Sequence, residues 1–117
     1  MIQFQSDQGQ ITVSSAVFSN ITGMAATNCF GVKGMAARSM KDGLYHLLRK
    51  ESASKGVRVQ FHEDESISFD LHIMVAAGVN LPAVDGSIIY EVSYVVTKHT
   101  GTQVRGVNVY IDAIAVD

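Results

Sequence analysis

A chain of 117 residues, 47% hydrophobic and 17% charged, makes one domain with a single core and is far too apolar for intrinsic disorder. The formal net charge of −2 argues against a general nucleic-acid binder, and one cysteine, Cys29, excludes an internal disulfide framework. So low a charged fraction implies that another chain covers part of the apolar surface. The first ten residues hold no Lys or Arg and no long apolar core, so the expectation is a soluble cytoplasmic protein without a secretory signal. The longest nearly apolar run, Leu71 to Leu81, includes His72 and Asn80 and falls short of the ~20 residues that span a bilayer.

Residues 1–8 are polar and expected to be loose, although Ile2 and Phe4 can extend an edge strand. Gly9 to Val13 reads as a short strand with Ile11 and Val13 on one side. Ser14 and Ser15 are both good helix caps, because a side-chain oxygen can satisfy an orphan N–H of the first turn. The helix that follows has Val17, Phe18, Ile21, Met24 and Ala25 at helical spacing, an apolar stripe to lay on a sheet. Gly23 either weakens that helix or admits a close neighbour. Cys29 to Met35 reads as a short strand or loop around Val32.

Residues 36–55 are a variable, basic segment. Within them Lys41 to Lys50 has helical character, with Leu44, Leu47 and Leu48 on one side. The expectation is a short, loosely packed helix or a mobile excursion.

Gly56 to His62 and Ser66 to Ala76 alternate apolar and polar residues on either side of the acidic corner Glu63-Asp64-Glu65. That pattern predicts a hairpin with one buried face. With His62 facing Ser66, Phe61 pairs with Ile67, Val59 with Phe69 and Val57 with Leu71. The other face then sets Arg58 opposite Asp70. Asn80 is a helix cap with Pro82 in the first turn, and Gly101 is the stop of a long helix. Its stripe is Leu81, Val84, Ile88, Val92, Val95 and Val96. The last strand runs from Val107 to Val116. Val107, Val109, Ile111 and Ala113 face inward; Asn108, Tyr110, Asp112 and Ile114 face outward. Val104 is out of phase, which predicts a bulge near Gly106. Together these elements make an α+β two-layer sandwich, two main helices on one face of a mostly antiparallel sheet, in a single domain over residues 1–117.

No catalytic constellation can be read from these residues. His62 and His72 share the polar face of the hairpin without a third ligand, so they read as solvated or interface histidines rather than a metal site. Glu63-Asp64-Glu65 lacks the glycine and alternating oxygen ligands of a calcium loop. Cys29 reads as a small buried apolar residue. Gly31-Val32-Lys33-Gly34 has the form of the backbone clamp of a KH domain, so a KH-like RNA-binding module is the alternative reading.

Charge is unevenly spread. Lys33, Arg38, Lys41, Arg49, Lys50, Lys55 and Arg58, against Asp42 and Glu51, give residues 33–58 a net of +5, and the remainder carries −7. Lys41, Arg49 and Lys50 are the candidate contact with an anionic surface, either lipid headgroups or the acidic part of another copy. Met74, Tyr110 and Ile114, on the outer sheet face, are the candidate protein interface.

Taken in order, several stretches resemble the alkaline shock protein, or general-stress (envelope stress response), family of bacteria. They are Gly9-Gln-Ile-Thr-Val-Ser14, Ala16-Val-Phe-Ser-Asn-Ile21, Gly31-Val-Lys-Gly34, Lys55-Gly-Val-Arg-Val59, Phe69-Asp-Leu-His-Ile73, Gly78-Val-Asn-Leu-Pro82, Thr100-Gly101 and Val107-Asn-Val109. The likeness covers residues 9–112 and departs around Ala36 to Ser54. It implies a small cytoplasmic protein without enzymatic activity, acting as a scaffold or regulator in envelope homeostasis, and it carries over no catalytic residue; no cofactor is expected. It further implies a homo-oligomer held at the inner face of the cell membrane through a membrane-anchored partner.

Overall fold

The computed structural model describes residues 1–38 and 43–116. The chain runs β1 (Ile2–Ser6), β2 (Gly9–Val13), α1 (Ser15–Thr27), β3 (Val32–Arg38), β4 (Tyr45–Leu47), a 3-10 helix (Lys50–Gly56), β5 (Val57–Phe61), β6 (Ile67–Ala76), α2 (Leu81–Thr100) and β7 (Val104–Ala115). It is an α+β fold, with two helices on a five-stranded, mostly antiparallel sheet.

The hairpin forms in the expected register. Val57, Val59 and Phe61 pair with Leu71, Phe69 and Ile67, and Arg58 lies opposite Asp70. A one-residue slip would move the whole apolar set to the wrong face, so the alternation itself enforces this pairing. His62 N–H donates to the Ser66 carbonyl and closes the turn. Within the turn the Asp64 carboxylate accepts from the Ser66 N–H at 3.0 Å and from its hydroxyl at 2.5 Å. Those two bonds from Ser66 hold the Asp64 carboxyl below its ordinary value. Their contribution is present above the unfolded carboxyl pKa and is lost as pH falls through the folded one.

β6 is the central strand. Along its ten residues the burial alternates without a break, with Ile67, Phe69, Leu71, Ile73 and Val75 toward the helices. One edge of β6 is shared end to end: β5 pairs along Ile67–Leu71 and β3 along Ile73–Val75. The other edge takes β7 in parallel. Parallel pairing needs the chain to return to its starting end, and α2 supplies the return. Its 20 residues span ~30 Å, close to the ~33 Å of a ten-residue strand.

α2 is set by its ends as anticipated. Asn80 Oδ1 accepts from the Ala83 N–H at 3.0 Å, Pro82 sits in the first turn, and Gly101 closes the helix at φ 71°. Val84, Ile88, Val92 and Val96 are buried and Val95 half-buried, whereas Leu81 leaves the stripe and is exposed.

Three expectations are corrected. First, α1 is rotated. Phe18, Thr22, Gly23, Ala25 and Ala26 are buried, and Val17 and Met24 face outward. The helix is apolar on more than one side, so spacing alone could not choose its inner face. Gly23 does admit a neighbour, since a Cβ there would sit 3.2 Å from the Ala53 carbonyl carbon of the 3-10 helix. Second, no helix occupies residues 43–49, the described part of that segment before Lys50. Tyr45–Leu47 is a strand on β3, and the helical turn falls at Lys50–Gly56. Leu44, Leu47 and Leu48 mimic helical spacing, but Gly43 at φ 72° ends any run that would reach them from before. Third, residues 2–6 are ordered as β1, paired with β2 in a separate two-stranded arm.

In β7 the expected bulge lies between Val104 and Gly106, and a second lies between Ile111 and Ala113. Past the second bulge Ala113 pairs with Met74 on the outer face and Ile114 with Val75. The expected facing of these two residues is therefore reversed.

Gly56 stands where β3 and β5 abut. A Cβ there would meet the Met35 Cβ at 2.9 Å and the Ala36 and His72 carbonyl oxygens at 3.1 Å. Gly56→Ala is expected to cost about 1–3 kcal/mol in urea unfolding, the range for overpacking a filled site. Gly86→Ala, in open space on α2, is the control and is expected to stabilise by up to ~1 kcal/mol.

Candidate interaction surface

The helices cover one face of the sheet and leave the other open. The open face carries the even positions of β6 (Ser68, Asp70, His72, Met74), all partly exposed. Around them stand Arg58 and Gln60 of β5 and Asn108 and Tyr110 of β7, all exposed.

The centre of this face is an aromatic stack. The His72 ring lies 4.9 Å from the Tyr110 ring at 14° and 6.5 Å from the Tyr45 ring at 16°. His72 Nδ1 donates to Asp112 Oδ2 at 2.8 Å. A carboxylate only accepts, so this bond places a proton on Nδ1. Asp112 stands two residues beyond Tyr110 and faces outward with it, at the second β7 bulge. The extra residue puts Asp112 and Ala113 on the outer side together, with the Asp112 side chain only 11% exposed beside His72. Beside the stack, Asn108 Nδ2 donates to Asp70 Oδ1 at 3.0 Å, and His62 Nε2 and Ser68 Oγ are 2.9 Å apart. The face thus combines exposed aromatic rings with side chains already locked by one another, a preorganised surface suited to a protein partner.

The residues singled out from sequence fare differently. Tyr110 is 47% exposed at the centre of the stack, and Met74 is half-buried next to it. Ile114 is 51% exposed but lies beyond the bulge, in register with Val75 on the helix-facing side. Arg49 is exposed at the start of the 3-10 helix, Lys50 is described by its backbone alone, and Lys41 lies outside the described residues. Tyr45 was hidden by the helical reading of its segment. Asp112 was placed outward by the alternation, as the structure has it, but its bond to His72 was not read from it.

His62 and His72 have separate partners, and no group of three His, Cys, Asp or Glu able to hold a metal occurs among the described residues. Gly31 to Gly34 leads from a turn into β3. The Gly31 carbonyl accepts the Ala76 N–H, and a Cβ at Gly31 would sit 3.1 Å from the Val79 and Val84 side chains. That tetrapeptide is built into the sheet and does not form the open loop between two helices that nucleic-acid clamping needs. Cys29 is buried, with Sγ 3.5 Å from the Ala25 carbonyl. Burial pushes its thiol above the ordinary value, the Ser87 hydrogen bond pulls back, and Glu91 adds to the rise. No helix among the described residues is long and apolar enough to cross a membrane.

Fold and surface together define a small α+β sandwich with a stacked Tyr–His–Tyr patch on its open sheet face. The chain belongs to the alkaline shock protein 23 family, a family of cell envelope-related function, whose model matches residues 3–116. It is 37% identical over 116 residues to the uncharacterized protein YloU of Bacillus subtilis (strain 168), covering 98% of this chain and 96% of that one. It is 35% identical to the uncharacterized protein Spy1614 of Streptococcus pyogenes serotype M6, covering 98% and 95%. A second B. subtilis protein, the uncharacterized YqhY, is 27% identical over 109 residues, covering 93% and 79%. No solved structure matches.

Because only the thiolate reacts, Cys29 is expected to resist a thiol-specific reagent at neutral pH until the protein is unfolded. Labelling of the folded chain at the rate of a free cysteine peptide would contradict the buried placement.

Proposed function

We propose that this protein is a non-enzymatic scaffold or regulator of cell-envelope homeostasis that works through protein–protein contacts. Membership of a family of envelope-related function supports the setting. The observation that carries the mode of action is the Tyr45–His72–Tyr110 stack with its Asp112 anchor on the open sheet face. Tyrosine and histidine offer apolar area with a polar rim at small conformational cost, as contact surfaces require. On this reading the protein is cytoplasmic and sits at the inner face of the membrane through a membrane-anchored partner. The basic segment with Lys41, Arg49 and Lys50 faces the anionic headgroups.

The test is complementation of a deletion strain under envelope stress. Tyr110→Ala combined with His72→Ala is expected to accumulate as a folded protein, lose its envelope partner in cross-linking and fail to complement. Full complementation by that pair would remove the open face from the mechanism. Lys41→Glu, Arg49→Glu and Lys50→Glu together are expected to abolish retention on anionic vesicles and leave partner cross-linking intact. Unchanged retention would dispose of the headgroup contact.

A further inference from the structure

We infer that the outer edge of β7 takes up an extended segment of a different protein as one more strand of the sheet. The segment alternates apolar and polar residues and carries a Lys or Arg that reaches Asp85 of α2. The inference rests on the scaffold reading above and deepens it, by giving the chemistry of a partner and the place where it docks.

β7 is the last strand on its side of the sheet. It pairs in parallel with β6, and among the described residues no strand pairs with its other edge. Over its 12 residues, alternate backbone N–H and C=O groups therefore point away from the sheet. A typical strand has only about five or six residues, so this is a long edge to leave open. Residues 104–115 include no Pro and no Lys, two residue types that blunt such edges. A row of unpaired backbone donors and acceptors selects its occupant by geometry. A strand satisfies them, whereas a helix or a merely apolar surface does not.

The apolar layer stops at the same edge. In β6 Ile67, Leu71 and Ile73 are fully enclosed, whereas their β7 neighbours Val104, Val109 and Ile111 are only partly buried. α2 lies over β7, and Glu91, Val95 and His99 line its α1 side. Asp85, Ile89 and Ser93 recur at the same four-residue interval on the opposite flank, and Ile89 is 37% exposed there. An added strand would lay its inward side chains beside Ile89, Val109 and Ile111 and close the layer. Asp85 is partly buried, lies past the first turn of α2, and has no hydrogen-bond or ion-pair partner among the described residues. α2 runs opposite to β7, so Asp85 stands by the C-terminal half of that strand. A carboxylate in that place favours a basic residue on the incoming segment.

A second copy of β7 suits this edge poorly. One bulge lies between Val104 and Gly106 and the other between Ile111 and Ala113, so only Gly106 to Ile111 is regular. Two β7 strands paired about a two-fold axis would each bring both bulges to the ends of the contact and confine the ladder to that stretch. A segment without fixed structure of its own bends with each bulge and pairs along the whole strand.

The test uses the full chain and a dye-labelled peptide as long as β7 that alternates Val and Thr, in two forms with Lys in place of the first or the last Val. Fluorescence anisotropy is expected to show saturable binding of one form. N-methylation of alternate peptide amides should weaken it at least about tenfold in one phase and leave it unchanged in the other, because a single edge of the peptide faces β7. Ile89→Lys should weaken binding at least about tenfold with unchanged circular dichroism and melting. Asp85→Asn should weaken the Lys peptide about threefold and leave its Lys→Gln form unaffected. Binding of neither form, equal losses in the two methylation phases, or full affinity in Ile89→Lys would overturn the inference. A free chain that sediments as a dimer and loses the dimer with Ile89→Lys would overturn it as well, since the edge would then belong to a second copy. Complementation by the Tyr110→Ala and His72→Ala pair reads the ring stack and not this edge, so each reading stands or fails by its own assay.

Discussion

The buried side of β6 is the constraint on which the other elements depend. Five side chains at alternate positions, all within 1% of full burial, fix which face of the sheet is wet and which is dry. Each large apolar residue so enclosed stabilises the fold by roughly 1.5–3 kcal/mol relative to exposure. Every neighbouring strand takes its register from that set. α1 lies over the β3 and β5 side and α2 over β7, and the Phe18 and Phe61 rings meet edge to face at 5.8 Å beneath α1.

The opposite side of the same strand is thereby released from packing and can serve as a contact surface. One residue decides how well it does so. Were β7 regular through Asp112, that carboxylate would fall out of phase with Ala113, and the strand end would turn a different set of side chains outward. Asp112 offers His72 an acceptor and fixes the imidazole between two phenols, and the bulge beside it turns Ala113 outward in place of Ile114. On the proposed scaffold reading, rigid rings would lose little freedom on contact with a partner.

Much of this was legible in the amino-acid order, and the pattern of success is physical. The β5–β6 register follows from Val57, Val59, Phe61 and their partners, because a period of two leaves no second solution. α2 was bounded by Asn80, Pro82 and Gly101, three residues whose backbone chemistry suits helix ends. Where two solutions existed, sequence could not choose. α1 has apolar residues on several sides, so Val17 and Met24 were assigned inward although they face out. Leu44, Leu47 and Leu48 fit a helical period, and only pairing with Ala36, Ala37 and Arg38 of β3 makes that stretch a strand. Of the patch itself, Tyr110, Met74 and the outward facing of Asp112 were legible from alternation, whereas Tyr45 was not. Ile114 was misplaced by the same unseen bulge.

β3 and β5 meet end to end along one edge of β6, and Gly56 returns the backbone to within van der Waals reach of Ala36, where it began to depart. The intervening stretch is thus a detour with clamped feet: the edge of β6 stays filled whatever lies between them. Doubling such a loop adds only about 0.6 kcal/mol of closure entropy. A lineage can therefore rewrite the length and charge of the detour outside β4 and the 3-10 helix without disturbing the pairing of β3 or β5 with β6.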